Sequence, residues 1–227
     1  MDSNQKSRIS IQVSLGGYSF TVSDGNGERR SPWLTPDKVF TTPEFQRRYD
    51  SVSVSLLTPK FALVPKEFYS PEAARELLSD VADLAEGDDV SAVPVEEKGA
   101  VLVYSNTIGE SLSRVISQSV LTVEGTSAPV YPEIYYLLKS MEICPEYNKI
   151  LCSYRDGYLF LVVAEGRTLL LCNVFKAVDF TTALYFIFLS LKRFQLNPEV
   201  STIRFRTPVD PEEEMSLYRY FKSVEAL

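Results

Sequence analysis

The stretch Tyr158-Leu159-Phe160-Leu161-Val162-Val163 limits the possible folds more than any other part of this chain. It is apolar at every position. A strand of that kind offers no face to water and must be covered on both sides. Asp156-Gly157 precedes it and Glu165-Gly166 follows it, and both are turn signals. With the runs at 149–154 and 168–174, it predicts a β-meander with short hairpins, in a sheet flanked by helices. A helix apolar nearly all round is predicted over 179–196, carrying Ala183, Leu184, Phe186, Ile187, Phe188, Leu189 and Leu191. Asp179 stands at its start as a cap, and Asn197-Pro198 ends it. A strand at 202–205 and a last helix opening at Asp210-Pro211 complete the order strand, strand, strand, helix, strand, helix.

The first half opens with strict period two. Ile9, Ile11 and Val13, then Tyr18, Phe20 and Val22, alternate with polar residues on two arms around Gly16-Gly17. This predicts a hairpin whose glycines supply the positive φ angles of a tight turn. Asp24-Gly25-Asn26-Gly27 is a second turn signal; a third strand is predicted over 33–40 and a short helix from Thr42 or Pro43. Val52, Val54 and Leu56 alternate again, and a short strand follows at 61–64. Ser70-Pro71 opens a helix marked by Ala74, Leu77, Leu78, Val81 and Leu84. Strands at 90–95 and 100–104 follow. Two short helices are then marked by Ile108, Leu112, Val115 and Ile116, and by Val130, Ile134, Leu137, Leu138 and Met141. The order of the second half recurs here with insertions. The fold expected is therefore α/β, with duplicated ribonuclease H-like lobes of the actin, hexokinase and Hsp70 type, each a mixed sheet flanked by helices. The expected lobes are 1–145, with inserted elements, and 146–227.

Three segments carry a resemblance over nearly the whole chain. They are Ile9-Ser10-Ile11-Gln12-Val13-Ser14-Leu15-Gly16-Gly17-Tyr18-Ser19-Phe20, Phe61-Ala62-Leu63-Val64-Pro65-Lys66-Glu67-Phe68-Tyr69, and Leu169-Leu170-Leu171-Cys172-Asn173-Val174-Phe175 followed by Asp179-Phe180. In order and separation they resemble an uncharacterised bacterial family, found mainly in Bacteroidetes, whose members have an actin-like ATPase fold. The resemblance implies that fold and no activity.

It also implies where phosphate chemistry would sit. In active members of the superfamily two hairpins hold the nucleotide phosphates, each with an Asp-x-Gly type turn whose acid organises a divalent metal. Here the first hairpin reads Ser14-Leu15-Gly16-Gly17-Tyr18, with serine in place of the acid. The second reads Ser153-Tyr154-Arg155-Asp156-Gly157-Tyr158, with Asp156 out of register at the hairpin tip. Tyr18 and Tyr158 add bulk after each turn. Ser14, Gly16, Gly17, Asp156 and Gly157 are thus the degenerate phosphate-loop positions. No ATP hydrolysis, cofactor or metal is expected, and the chain is read as no enzyme.

Composition narrows the remaining classes. Histidine is absent, which removes histidine-based nucleophile pairs and nearly all zinc sites. The net charge of −7 argues against nucleic acid as a partner. Three cysteines without CxxC spacing make no disulfide framework and fit a reducing, cytoplasmic setting. The polar start lacks the apolar core of a signal peptide, and the apolar stretch at 183–191 is about half a membrane span. Asp210-Pro211-Glu212-Glu213-Glu214 reads as a helix N-terminus rather than a metal site, and Glu86-Gly87-Asp88-Asp89 as a solvated loop. The aromatic clusters Tyr131, Tyr135, Tyr136 and Tyr147, and Tyr218, Tyr220 and Phe221, fit either amphipathic packing or a protein-binding surface. The function expected is a non-catalytic binding or scaffold protein, with a protein partner or self-association. The alternative is a nucleotide-binding sensor or weak ATPase; a carboxylate-only hydrolase is a residual third reading, with no pair of acids to single out.

Overall fold

A computed structural model describes residues 6–227. Strands β1 (Arg8–Ser14), β2 (Gly17–Asp24) and β3 (Gly27–Arg30) form an antiparallel meander. Two 3-10 turns, Pro36–Thr41 and Pro43–Gln46, lead to β4 (Arg48–Tyr49) and β5 (Ser51–Leu56). Then come β6 (Phe61–Pro65), α1 (Ala74–Ser79), β7 (Val90–Val95), β8 (Ala100–Ser105), α2 (Glu110–Ser119), β9 (Leu121–Thr122) and β10 (Val130–Pro132). The chain continues through α3 (Glu133–Ile143), β11 (Asn148–Arg155), β12 (Tyr158–Glu165), β13 (Thr168–Lys176), α4 (Phe180–Arg193), β14 (Thr202–Phe205), α5 (Pro211–Tyr218) and β15 (Ser223–Ala226).

The duplication is visible in the sheets. One runs β3-β2-β1-β5-β10 and the other β13-β12-β11-β14-β15. In each, three antiparallel strands are followed by two strands parallel to the first, added on its open side. α2 precedes the fifth strand of the first copy as α5 precedes that of the second, while 3-10 turns stand where the second copy has α4. The small sheet β6-β8-β7 and the pair β4-β9 belong to the first copy's extra elements.

By contact density the described chain divides into two compact units. One holds residues up to Ala62, Tyr69–Val93 and Val103–Pro132; the other holds Leu63–Phe68, Pro94–Leu102 and Glu133–Leu227. The boundary expected at 145/146 leaves α3 with the first lobe. In the structure α3 packs on β11 and β12 and lies in the second unit.

In the second unit β12 is buried from Leu159 to Ala164. Leu159, Leu161 and Val163 share a core with Ala183, Ile187 and Leu191 of α4 and Leu217 of α5. The alternate residues Phe160, Val162 and Ala164 are equally buried. In the first unit Ile9, Ile11, Val13, Val54 and Leu56 pack against Leu112 and Ile116 of α2 and against Val39 and Phe45 of the 3-10 turns. Among the described residues no helix is long and apolar enough to cross a membrane.

Three local expectations are corrected. The third strand is not at 33–40 but at Gly27–Arg30. Pro36 and Pro43 each open a 3-10 turn, where a missing N–H is tolerated. Only Leu34 of the expected strand pairs, by exchanging hydrogen bonds with Tyr18 (2.9 and 2.8 Å). The helix after Ser70-Pro71 is six residues long and stops at Ser79, short of the expected Val81 and Leu84. Arg75 draws the following segment back over it by donating to the carbonyls of Asp88 (2.6 Å) and Ala85 (3.0 Å).

Asp88 is not solvated. Lys60 Nζ lies 2.6 Å from its carboxylate, whose side chain is 8% exposed. The Ala85 N–H and the Thr107 hydroxyl also donate to it, at 2.8 and 3.0 Å. The Lys60 bond, with those of Ala85 and Thr107, holds the Asp88 carboxyl down at about 2 against an ordinary 3.8. A lowered folded value contributes stability above the unfolded pKa, and that contribution disappears as pH falls through the folded one. Asp88→Asn is expected to be less stable than the wild type at neutral pH, with the gap closing between about pH 4 and pH 2. Urea midpoints across that range measure it.

Candidate functional site

The β1–β2 turn is built from Ser14 paired with Gly17, leaving Leu15 and Gly16 as the loop. Ser14 is 4% exposed, and its hydroxyl accepts from the Gly16 N–H at 3.0 Å. Gly17, the first residue of β2, holds φ at 153°. A Cβ there would stand 2.2 Å from the Leu34 carbonyl oxygen and 2.8 Å from Trp33 Nε1. The glycine expected to shape the turn therefore lies in the strand, and the passing segment at Trp33 and Leu34 demands it. Tyr18 is also corrected. Its ring lies in the core 5.3 Å from Phe45, its hydroxyl meets Thr42 Oγ1 at 2.5 Å, and burial pushes its pKa up. Its bulk does not crowd the turn. Beside the turn is a small cavity of about 160 Å³, lined by Ser14, Leu15, Pro36 and the first turn of α2 from Gly109 to Leu112.

The β11–β12 turn consists of Asp156 and Gly157, both left-handed, with φ of 55° and 75°. Arg155 and Tyr158 pair across it. Positive φ at both central residues is the two-residue hairpin geometry that Asp-Gly favours. The Gly157 carbonyl accepts from the Ala177 N–H at 2.8 Å, tying the tip to the end of β13.

A polar centre that sequence reasoning missed lies beside this hairpin. Glu133, the first residue of α3, is wholly buried. The Ser153 hydroxyl donates to its Oε1 at 2.5 Å, and Arg206 Nη1 donates to its Oε2. The Arg206 guanidinium lies over the Tyr136 ring, 4.4 Å from its centre. Just past β14, the Arg206 N–H bonds the Cys152 carbonyl (2.8 Å) and the Thr207 hydroxyl accepts from the Tyr154 N–H (2.8 Å). These bonds continue the β11–β14 pairing and fix the arginine against the glutamate. The available signal was an acid inside the apolar run Val130-Tyr131-Pro132-Glu133-Ile134-Tyr135-Tyr136.

Asp179 takes the cap role expected of it, and the acidic run from Asp210 opens a helix as expected. Asp179 accepts from the Thr182 N–H at 2.7 Å, and Asp210 and Glu213 form a capping box at the start of α5. Among the described residues no three His, Cys, Asp or Glu side chains stand together as a metal's ligands would.

Residues 1–224 match the family described as "Protein of unknown function (DUF3822)". The chain belongs to that family. A Bacteroides thetaiotaomicron protein of actin-like ATPase fold and unknown function superposes with a TM-score of 0.70 at 16% identity, covering 100% of this chain and 94% of that one. The PilM–PilN type IV pilus biogenesis complex gives 0.49 at 14% identity, with 97% and 88% covered. The cytoplasmic domain of EpsL, from the type II secretion system of Vibrio cholerae, gives 0.44 at 12%, with 90% and 82% covered. No curated protein matches. This DUF3822 chain thus has the actin-like ATPase fold that its duplicated sheets define, as the three sequence segments imply.

Proposed function

We propose that this protein is a non-catalytic binding or scaffold protein, cytoplasmic, on an actin-like fold that has lost its phosphate chemistry. The observation carrying this reading is Ser14 at the β1–β2 turn. A neutral hydroxyl bonded to the Gly16 N–H brings no charge to a divalent cation, which binds anionic oxygens by preference. The second hairpin supports the same reading, since Asp156 forms the turn itself. So does Glu133, the buried acid beside the second hairpin, because Arg206 supplies its counter-charge from within the chain. These residues do not fit a magnesium-nucleotide.

Two measurements test the reading. Phosphate release from ATP with magnesium is expected to stay at background. Turnover that Ser14→Trp abolishes would overturn the proposal. The melting temperature is expected to stay unchanged in millimolar ATP and magnesium, because a ligand that binds the folded state must stabilise it. A rise would favour a nucleotide sensor instead.

A further inference from the structure

We propose that a second copy of this chain docks on the outer face of α4 and α5 about a two-fold axis perpendicular to both helices. The proposal deepens the scaffold reading above and rests on it for the kind of role the contact serves.

The face follows from topology. β13, β14 and β15 run parallel, so α4 and α5, which connect them, run back in the same direction on one side of the sheet. Phe188 of α4 meets Tyr220 and Phe221, just past α5, at ring distances of 4.9 and 5.8 Å. Ala183, Ile187 and Leu191 of α4 and Leu217 of α5 are buried in the core. The opposite row of α4 is Thr181, Tyr185, Leu189 and Lys192, all exposed, and that of α5 is Glu212, Met215 and Arg219, also exposed. Tyr185 and Met215 keep 60% and 65% of their surface in water.

Charge is segregated along this face. Asp179, Asp210 and Glu212 lie at the N-terminal end of the pair of helices, and Lys192, Arg193 and Arg219 at the C-terminal end, with the apolar side chains between. Among the described residues Glu212, Lys192, Arg193 and Arg219 enter no ion pair within the chain.

Such a face complements itself in one orientation. A two-fold axis across the helices sets α4 antiparallel on α4 and α5 antiparallel on α5. Tyr185 then meets Leu189 of the partner subunit, and Glu212 meets Arg219 of the partner subunit. Each contact occurs twice, as a two-fold interface requires. The helix dipoles oppose, and each acidic end lies on a basic one. A partner of uniform charge would face half of this surface with the wrong sign. Two copies of a chain of net charge −7 repel overall, and a face holding both signs is where that repulsion is offset.

Light scattering on the full chain during size exclusion, from low to high micromolar and at low and high salt, tests this. A dimer is expected, weakened by salt because the end contacts are exposed. Leu189→Asp and Arg219→Glu are each expected to weaken dimerisation about tenfold or more, because each acts twice. Arg219→Glu with Glu212→Arg is expected to restore the dimer, since the swap keeps opposite charges facing. Far-UV circular dichroism checks that the variants fold; should Leu189→Asp fail to fold, the charge swap alone decides. A monomer at every concentration overturns the proposal, and so does a dimer indifferent to both single changes. ATP turnover by the wild type would sink the scaffold reading and leave the mass measurement standing, so the two failures are distinguishable.

Discussion

Arg206→Met is expected to destabilise the chain by about 3–5 kcal/mol, read as a fall in the urea midpoint at neutral pH. The size of the effect comes from what the substitution leaves behind. Glu133 is 0% exposed, and a neutral donor such as the Ser153 hydroxyl does not compensate a full negative charge removed from water. The methionine keeps much of the volume against Tyr136 and cannot donate. Adding Glu133→Gln removes the charge and keeps an acceptor for Ser153. The double variant is expected to recover more than half of the loss. A single-variant cost below about 1 kcal/mol would mean that water reaches the carboxylate, and that the centre beside the β11–β12 hairpin is not the closed ion pair described above.

Residues whose role is local were legible in the sequence. The apolar run at 158–163 announced a strand covered on both faces, because no exposed strand tolerates six apolar residues in succession. Asp179 read as a helix cap because the N–H group it serves is three residues away, and the acidic run from Asp210 read as a helix N-terminus. Asp156-Gly157 read as a turn for the same reason. Residues whose role depends on distant partners were not legible. Glu133 follows a proline at the start of a helix, where an acid ordinarily serves the dipole, and its arginine lies 73 positions on. Asp88 sits in a run that looks solvated, and Lys60, which neutralises it, is 28 positions back. The strand expected at 33–40 failed for a related reason. Its apolar residues Leu34, Val39 and Phe40 suit a strand, yet Pro36 and Pro43 commit the backbone to 3-10 turns that bring Val39 and Phe45 onto the sheet. At the candidate site the serine at the β1–β2 turn was legible. What the glycines do there was not, because Leu34 decides it.

Gly17→Ala is expected to cost about 2–4 kcal/mol, from a left-handed-side backbone angle imposed on alanine and from overpacking against the Leu34 carbonyl. The added methyl carbon would stand 2.2 Å from that oxygen, far inside contact distance. The backbone cannot yield cheaply, since Tyr18 and Leu34 hold each other by two hydrogen bonds and the Tyr18 ring is fixed under Phe45 and Thr42. Gly16→Ala makes the internal comparison. Gly16 is exposed, and its change is expected to cost well below that at Gly17. A glycine kept for close approach to a phosphate would behave otherwise: alanine at either position would leave folding nearly intact and act on ligand binding. Equal and small losses at both positions, measured by urea unfolding, would return Gly17 to that role. A large loss at Gly17 with none at Gly16 ties the residue to the Trp33–Leu34 segment, so that the glycine is explained by packing alone.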